Sequence, residues 1–301
     1  MKTKIYTLIL ALCAAWNLQS CDNDDNDSIA VPAELQNAFS SRYPNAANVK
    51  WESKAGYYVA DFYDGYESSA WFTQNGKWQM TETDIPYNAL PQAVKTSFET
   101  GEYASWRVDD VDKLERADVE TMYVIEVEDR NREIDLYYSE EGVLVKNVVD
   151  TDGDKDGEYL PEQNVRLTEA MRNFIDTRYP GAKLMEIDIE DDGPNRGFTE
   201  VDIVHFDNDL GRNVSKEILF DRNGEWYSTS WDVRKGELPA GVSETIDAQI
   251  NTIYIGYRLD DAERIENADS KYYRIELEAN DREAVLMIAD NGELITGPNR
   301  N

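Results

Sequence analysis

Four short turns of nearly the same chemistry recur through the chain, and they constrain its fold more than any other feature. They are Gln74-Asn75-Gly76, Glu140-Glu141-Gly142, Arg222-Asn223-Gly224 and Asp290-Asn291-Gly292. Three contain Asn-Gly, the strongest short-range hairpin signal, because both residues tolerate the positive φ of a tight turn. Each turn ends a similar series of segments. Arg42-Tyr43-Pro44 closes a stretch with Leu35, Ala38, Phe39 and Tyr43 on one helical face. Arg178-Tyr179-Pro180 closes another, carrying Leu167, Ala170, Met171, Phe174 and Ile175. Proline lacks the donor a helix needs and restricts the residue before it, so both helices stop there. Leu90, Val94 and Phe98 line a third helix, and Val242, Ile246, Ile250 and Ile253 a fourth.

Strand-like runs follow each helix. After the first they cover 48–52, 57–62, 68–72 and 77–81; after the third, 183–190, 199–206, 214–220 and 225–231. The pattern is one helix plus about four antiparallel strands, repeated four times. A single such unit has too little to bury, whereas two units joined edge to edge share a core. The expected fold class is therefore α+β: two tandem domains of helix-plus-antiparallel-sheet repeats, with the helices on one sheet face. The boundaries fall at 32–149 and 165–297, with an acidic linker over 150–164.

If helices cover one face, the other is free for function. Adjacent aromatics such as Tyr57-Tyr58, Phe62-Tyr63, Trp71-Phe72, Tyr137-Tyr138, Trp226-Tyr227 and Tyr272-Tyr273 place one ring on each face, because strand neighbours point opposite ways. The candidate ligand-binding rings on the open face are Tyr57, Trp71, Trp78, Tyr137, Trp226, Trp231 and Tyr272. The bland alternative is that these rings merely cover the sheet through cross-strand pairs.

The Arg-Tyr-Pro helix ends, aromatic strands, Asn-Gly hairpins and duplicated layout resemble the PepSY-like, beta-lactamase-inhibitor-like domains of Bacteroidetes lipoproteins. The resemblance covers about residues 32–297 as two copies. It implies non-catalytic domains that hold a protein or peptide on a concave sheet, as the beta-lactamase inhibitor proteins hold their enzyme. Their contact loops have no match here, so no inhibitory residue carries over.

The N-terminus reads as an export signal. Lys2 and Lys4 precede an apolar run over 5–18, too short to span a bilayer permanently. It ends in Leu18-Gln19-Ser20-Cys21, which resembles a lipobox and predicts cleavage after residue 20 with lipidation of Cys21. The acidic stretch 22–28 is too polar to fold and serves as a tether within 21–31; it also resembles the export signal of surface-displayed lipoproteins. The expectation is an exported lipoprotein on the periplasmic or outer face of the outer membrane, held there by its lipid.

Charge narrows the partners. With 61 acidic against 30 basic side chains the net charge is −31, and loss of Lys2 and Lys4 makes the exported chain more acidic still. Nucleic acid and anionic lipid surfaces repel such a chain. Cationic ligands, metal ions and basic partners remain. Within the linker, Asp152, Asp154, Asp156 and Glu158 follow the first half of a calcium loop, with Gly157 able to bend it. The twelfth position is Gln163 and Glu162 lies one residue early, so the loop departs from an EF-hand. The candidate Ca²⁺ ligands are Asp152, Asp154, Asp156, Glu158 and Glu162; the alternative is a solvated hinge.

Little in the sequence favours catalysis. Cys13 lies in the export signal and Cys21 is the lipid site, which removes thiol chemistry. The one histidine, His205, sits inside a strand, with no Gly-x-Ser-x-Gly elbow and no phosphate-binding loop. Paired carboxylates are numerous, but Asp109-Asp110, Asp191-Asp192 and Asp260-Asp261 fall at expected turns or strand ends. The sequence thus favours an anchored binding or sensing module for a protein, peptide or glycan. A calcium-responsive spacer and a carboxylate-based glycan-active enzyme are the alternatives.

Overall fold

A computed structural model describes residues 29–130, 132–150, 165–191, 193–280 and 282–296. The chain builds two eight-stranded antiparallel sheets, each strand pairing with its neighbour in sequence. In the first, α1 (Ala33–Arg42) precedes β1 (Ala47–Lys54), β2 (Tyr57–Tyr63), β3 (Glu67–Phe72) and β4 (Trp78–Asp84). Then α2 (Gln92–Thr100) precedes β5 (Arg107–Arg116), β6 (Met122–Asp129), β7 (Arg132–Ser139) and β8 (Leu144–Asp150). The second repeats this order. It has α3 (Glu169–Arg178), β9 (Lys183–Ile189), β10 (Thr199–Asp207), β11 (Arg212–Phe220) and β12 (Trp226–Asp232), followed by α4 (Ala240–Thr252), β13 (Arg258–Asn267), β14 (Lys271–Ala279), β15 (Arg282–Ala289) and β16 (Leu294–Thr296). The four αββββ units anticipated from the turns are all present.

Each helix covers the part of the sheet made by its own strands. Leu35 and Phe39 of α1 pack on Ala60, Phe62, Ala70 and Phe72. Val94 and Phe98 of α2 pack on Val111, Ile125, Leu136 and Tyr138. Met171 and Ile175 of α3 meet Val201, Ile203 and Ile218, while Val242 and Ile246 of α4 meet Ile275, Leu286 and Ile288. The strand residues alternate, as period-two burial requires. The helical stripes are narrower than expected: Ala170 is exposed, and Ile253 lies past the end of α4 with half its surface in solvent.

The Arg-Tyr-Pro motif does more than end a helix. The Arg42 guanidinium sits 3.4 Å from the centroid of Trp78 and its Nε donates to the Tyr43 hydroxyl. Trp78 Nε1 donates to Thr81 at 2.8 Å, and the Thr81 and Tyr43 hydroxyls bond to each other. In the second copy Arg178 lies 4.7 Å from the centroid of Trp226 and donates to the Tyr179 hydroxyl and to Glu266, while Trp226 Nε1 donates to Thr229 at 3.0 Å. Each clamp fixes a helix end to the fourth strand of its unit.

All four hairpin glycines have positive φ, from +77° to +86°. At Gly142 and Gly292 the backbone also leaves no room for a side chain. A Cβ on Gly292 would stand 2.6 Å from the Gly241 carbonyl oxygen at the start of α4, and one on Gly142 would strike the Ala93 carbonyl of α2. Gly292→Ala is therefore expected to cost roughly 2–4 kcal/mol, combining left-handed strain with a backbone clash. The same change at Gly224, which meets the Met171 side-chain tip and, at ordinary contact distance, the Thr168 hydroxyl, should cost about 1 kcal/mol. Urea denaturation of both variants checks the ranking; equal costs would contradict it.

Candidate functional site

The two sheets meet through the strands at their facing edges, β8 and β9. Arg116 of β5 donates from Nη2 to the Met185 carbonyl at 2.6 Å, and the Glu120 N–H donates to the Leu184 carbonyl at 2.8 Å. Met185 and Val204 of the second sheet then join Val59, Trp71, Met80, Leu114, Val124 and Tyr137 in one apolar cluster. Those residues lie on the face of the first sheet away from its helices. Glu186, 5% exposed, pairs with Arg116 at 3.5 Å and with Lys146 of β8. Lys183 and Glu141 make a second link across the junction.

On the other side, the β7–β8 hairpin and β8 border a cleft of about 410 Å³ against the helix-free face of the second sheet. The β11–β12 ladder runs from Phe220↔Trp226 only to Glu217↔Ser230, whereas β11 reaches back to Arg212 and β12 on to Asp232. The two strands part there, and the cleft runs into the parting. Its second-sheet wall carries Asp202, Glu217, Asp232, Asp261 and Glu263. Of its cations, Arg212 holds Glu237 through two bonds of 2.7 and 2.8 Å, and Lys146 holds Glu186. Arg234 is the third.

The candidate rings are distributed differently from the sequence expectation. Tyr57, Trp71, Tyr137 and Tyr272 do lie on the helix-free faces. Trp71 and Tyr137 are nevertheless buried in the junction cluster, while Tyr57 and Tyr272 are half-buried. Trp78, Trp226 and Trp231 lie on the helix side: the first two sit in the arginine clamps, and Trp231 packs in the core under α4. Alternation correctly predicts one ring per face in each aromatic pair, but at Trp226-Tyr227 the exposed ring is Tyr227. An open, ring-rich outer face is thus corrected to an interdomain junction with a polar cleft. The physical cause is apolar: Val59, Leu114 and Val124 make the first sheet's second face too hydrophobic to stay in water.

Other sequence candidates are also placed. Asp109-Asp110 and Asp260-Asp261 lie near the starts of β5 and β13, as expected, at register shifts, and Asp261 is buried. His205 stacks edge-on with Tyr179 at 5.5 Å. Burial, then the charge of Lys216, hold its pKa below the usual value. Lys216 itself is buried, 3.0 Å from Asp207 and 3.3 Å from the Trp231 centroid. Cys21 and the acidic loop Asp152, Asp154, Asp156, Glu158 and Glu162 lie outside the described residues. Among the described residues no cluster of three or more His, Cys, Asp or Glu is arranged to hold a metal ion, and no helix is long and apolar enough to cross a membrane.

Sequence reasoning missed Asn147. It pairs with Leu136 in the β7–β8 ladder, is 2% exposed, lines the cleft, and has neither side-chain polar atom hydrogen-bonded. Its one available signal was a polar residue inside the apolar run Leu144-Val145-Lys146-Asn147-Val148-Val149.

Helix-backed antiparallel sheets in tandem, joined around a cleft, define the molecule as a duplicated α+β domain protein. The family described as "Putative beta-lactamase-inhibitor-like, PepSY-like" matches residues 56–146 and 201–296, one stretch in each sheet, and the chain belongs to that family. Among solved structures it is similar to a BLIP-like protein from Bacteroides fragilis, with 40% identity over 46% of this chain and 97% of that one, at a TM-score of 0.43. It is also similar to a DUF2874 family protein from Bacteroides ovatus, with 34% identity over 43% of this chain and 95% of that one, at a TM-score of 0.40. A third, from Bacteroides eggerthii and described among "putative periplasmic proteins", shares 27% identity over 39% of this chain and 88% of that one, at a TM-score of 0.37. No curated protein matches the chain.

Proposed function

We propose that the protein is a lipid-anchored, non-catalytic binding or sensing module whose ligand enters the cleft between the two sheets. The observation that carries this reading is the cleft itself: about 410 Å³, within the range of ligand pockets, and bounded by both halves of the duplication. Sites at domain junctions are favoured because two surfaces contribute to one enclosure. The lipobox-like Leu18-Gln19-Ser20-Cys21 and the acidic tether after it support anchoring outside the cytoplasm. His205 packs edge-on against Tyr179 and does not line the cleft.

The test is capture of a partner from cell-envelope extract by the full exported chain. Ser215→Trp places a large ring on the cleft wall from a half-buried position. It should abolish recovery while leaving the unfolding midpoint within about 2 °C. Tyr57→Ala and Tyr272→Ala, on the half-buried rings of the helix-free faces, should leave recovery intact. Undiminished capture by Ser215→Trp would sink the cleft, and loss with the tyrosine variants would return binding to the rings.

A further inference from the structure

Each of the four units sets a tyrosine just behind its helix: Tyr43, Tyr103, Tyr179 and Tyr254. Tyr103, Tyr179 and Tyr254 are buried and Tyr43 is half-buried, so the fold itself uses this ring. The residues on either side of it differ. They are Arg42 and Pro44, Glu102 and Ala104, Arg178 and Pro180, and then Ile253 and Ile255. Only the fourth unit has a large aliphatic side chain on both sides, and it leaves them in water, Ile253 53% exposed and Ile255 77%.

The second unit is the natural control. Tyr103 meets Trp106 edge-on at 5.2 Å, and Tyr254 meets Tyr257 edge-on at 5.4 Å. The second ring of each pair faces the arginine that opens a later strand, Arg132 of β7 at 4.9 Å and Arg282 of β15 at 5.5 Å. The same bend is thus built with Glu102 and Ala104, both exposed, where the fourth unit has its isoleucines. A single exposed apolar residue is ordinary. Two at one bend, when the matching bend needs neither, call for a use outside the fold.

Size and charge decide what covers them. Two isoleucine side chains offer on the order of 200 Å². One side of a stable protein interface buries about 800 Å². A bilayer sets no such minimum, because each apolar group gains by leaving water whatever its neighbours do. The segment from Ala248 to Leu259 also holds no Asp or Glu, in a chain with 61 of them; the next along the chain are Asp247 and Asp260. Its one charged side chain, Arg258, is bonded to Glu278 at 2.6 Å. No carboxylate of this segment therefore meets a headgroup phosphate, although the chain as a whole is strongly acidic.

We propose that Ile253 and Ile255 form a tip that inserts into a neutral lipid surface, with Tyr257 and Arg258 at the level of the headgroups, where tyrosine and arginine are favoured. The tip gives the second sheet its own contact with the membrane and so sets which end of that sheet faces it. This reading is independent of the cleft.

The test holds the chain from residue 22, which has no cysteine, on phosphatidylcholine vesicles through an N-terminal hexahistidine tag and a nickel-chelating lipid. A nitrobenzoxadiazole dye on Asn251→Cys, exposed in the last turn of α4, reports the tip; the same dye on Thr100→Cys, likewise exposed at the end of α2, is the control. On vesicles the dye at residue 251 should shift its emission to the blue and be quenched by a doxyl-labelled lipid, and the dye at residue 100 should do neither. Ile253→Ser with Ile255→Ser should abolish both effects and leave the unfolding midpoint within about 2 °C, since both side chains are largely in water. Ile253→Leu with Ile255→Leu should preserve them. Without the tag, the serine pair should lower partitioning onto the same vesicles at least about tenfold. No shift at residue 251, a shift that survives the serine pair, or an equal shift at residue 100 would overturn the proposal. A shift caused by envelope protein extract but not by protein-free vesicles would overturn the lipid and give the tip to a protein partner. All of these results leave capture through the cleft, read by Ser215→Trp, as a separate question.

Discussion

Glu186→Ala is expected to destabilise the protein by about 3–5 kcal/mol. Glu186 is buried at the junction with Arg116 and Lys146 both turned to it, and Arg116 is itself nearly enclosed. Removing the carboxylate takes one acceptor from two cations that water reaches poorly, and part of their desolvation is then uncompensated. The effect is specific to breaking the group. Replacing Glu186, Arg116 and Lys146 together by apolar residues of similar size should recover most of the loss, since a buried ion triad is seldom worth more than good packing. Urea denaturation followed by tryptophan fluorescence reads both variants. A loss under 1 kcal/mol for Glu186→Ala would mean that the junction opens to solvent and does not behave as one packed region.

Stability is also expected to fall as pH rises from about 5 to 8, opposite to the habit of acid-denaturing proteins. On the helix-free face of the first sheet, burial and then the charge of Asp110 push Glu82 from 4.5 to about 7. Burial, then hydrogen bonding and repulsion from Glu133, push Glu126 to about 8. At the junction, burial and then Glu186 move Asp188 from 3.8 to about 6. Each carboxyl holds its proton more tightly folded than unfolded. Its contribution is therefore full below the unfolded value and lost as pH passes the folded one. The combined fall should be about 2–4 kcal/mol after allowance for solvent screening. Groups shifted downward act in the other window. Lys183 and backbone bonding hold Glu141 low, and Arg212 does so for Glu237, so stability also drops on acidification below about 4.5. The maximum should lie near pH 5. Unfolding free energies at pH 4, 5, 6.5 and 8 give the curve, and Glu82→Gln with Glu126→Gln should flatten its alkaline limb. A curve that climbs to pH 8 would contradict the assignment.

The fold was legible because its signals are local. Asn-Gly turns demand positive φ wherever they occur, and Gly76, Gly224 and Gly292 adopt it. Proline after Arg42-Tyr43 ends α1 whatever packs on it. The site was less legible because it depends on one sheet meeting another. Alternation assigns Trp71 to the helix-free face correctly, but nothing adjacent to it announces Met185, more than a hundred residues away, as its neighbour. Trp78 and Trp226 were misplaced for a nearer reason. Register shifts between Trp71/Phe72 and between Leu219/Phe220 insert an extra residue, which turns both rings to the helix side. Asn147 went unnoticed because a lone amide in a strand is unremarkable until its lack of partners is known.

The way the sheets meet bears on how the protein stays apart from its own copies. A strand with unused main-chain donors and acceptors is a template for a foreign strand. Here the two central margins, β8 and β9, each adjoin the opposite sheet, leaving β1 and β16 as the lateral ones among the described residues. Both are poor templates. β16 has only three residues, and β1 is kinked by Asn48 at φ +56° and studded with Lys50 and Lys54. Among the described residues, the sixteen strands thereby offer no straight, bare ribbon on which a neighbour could begin to stack.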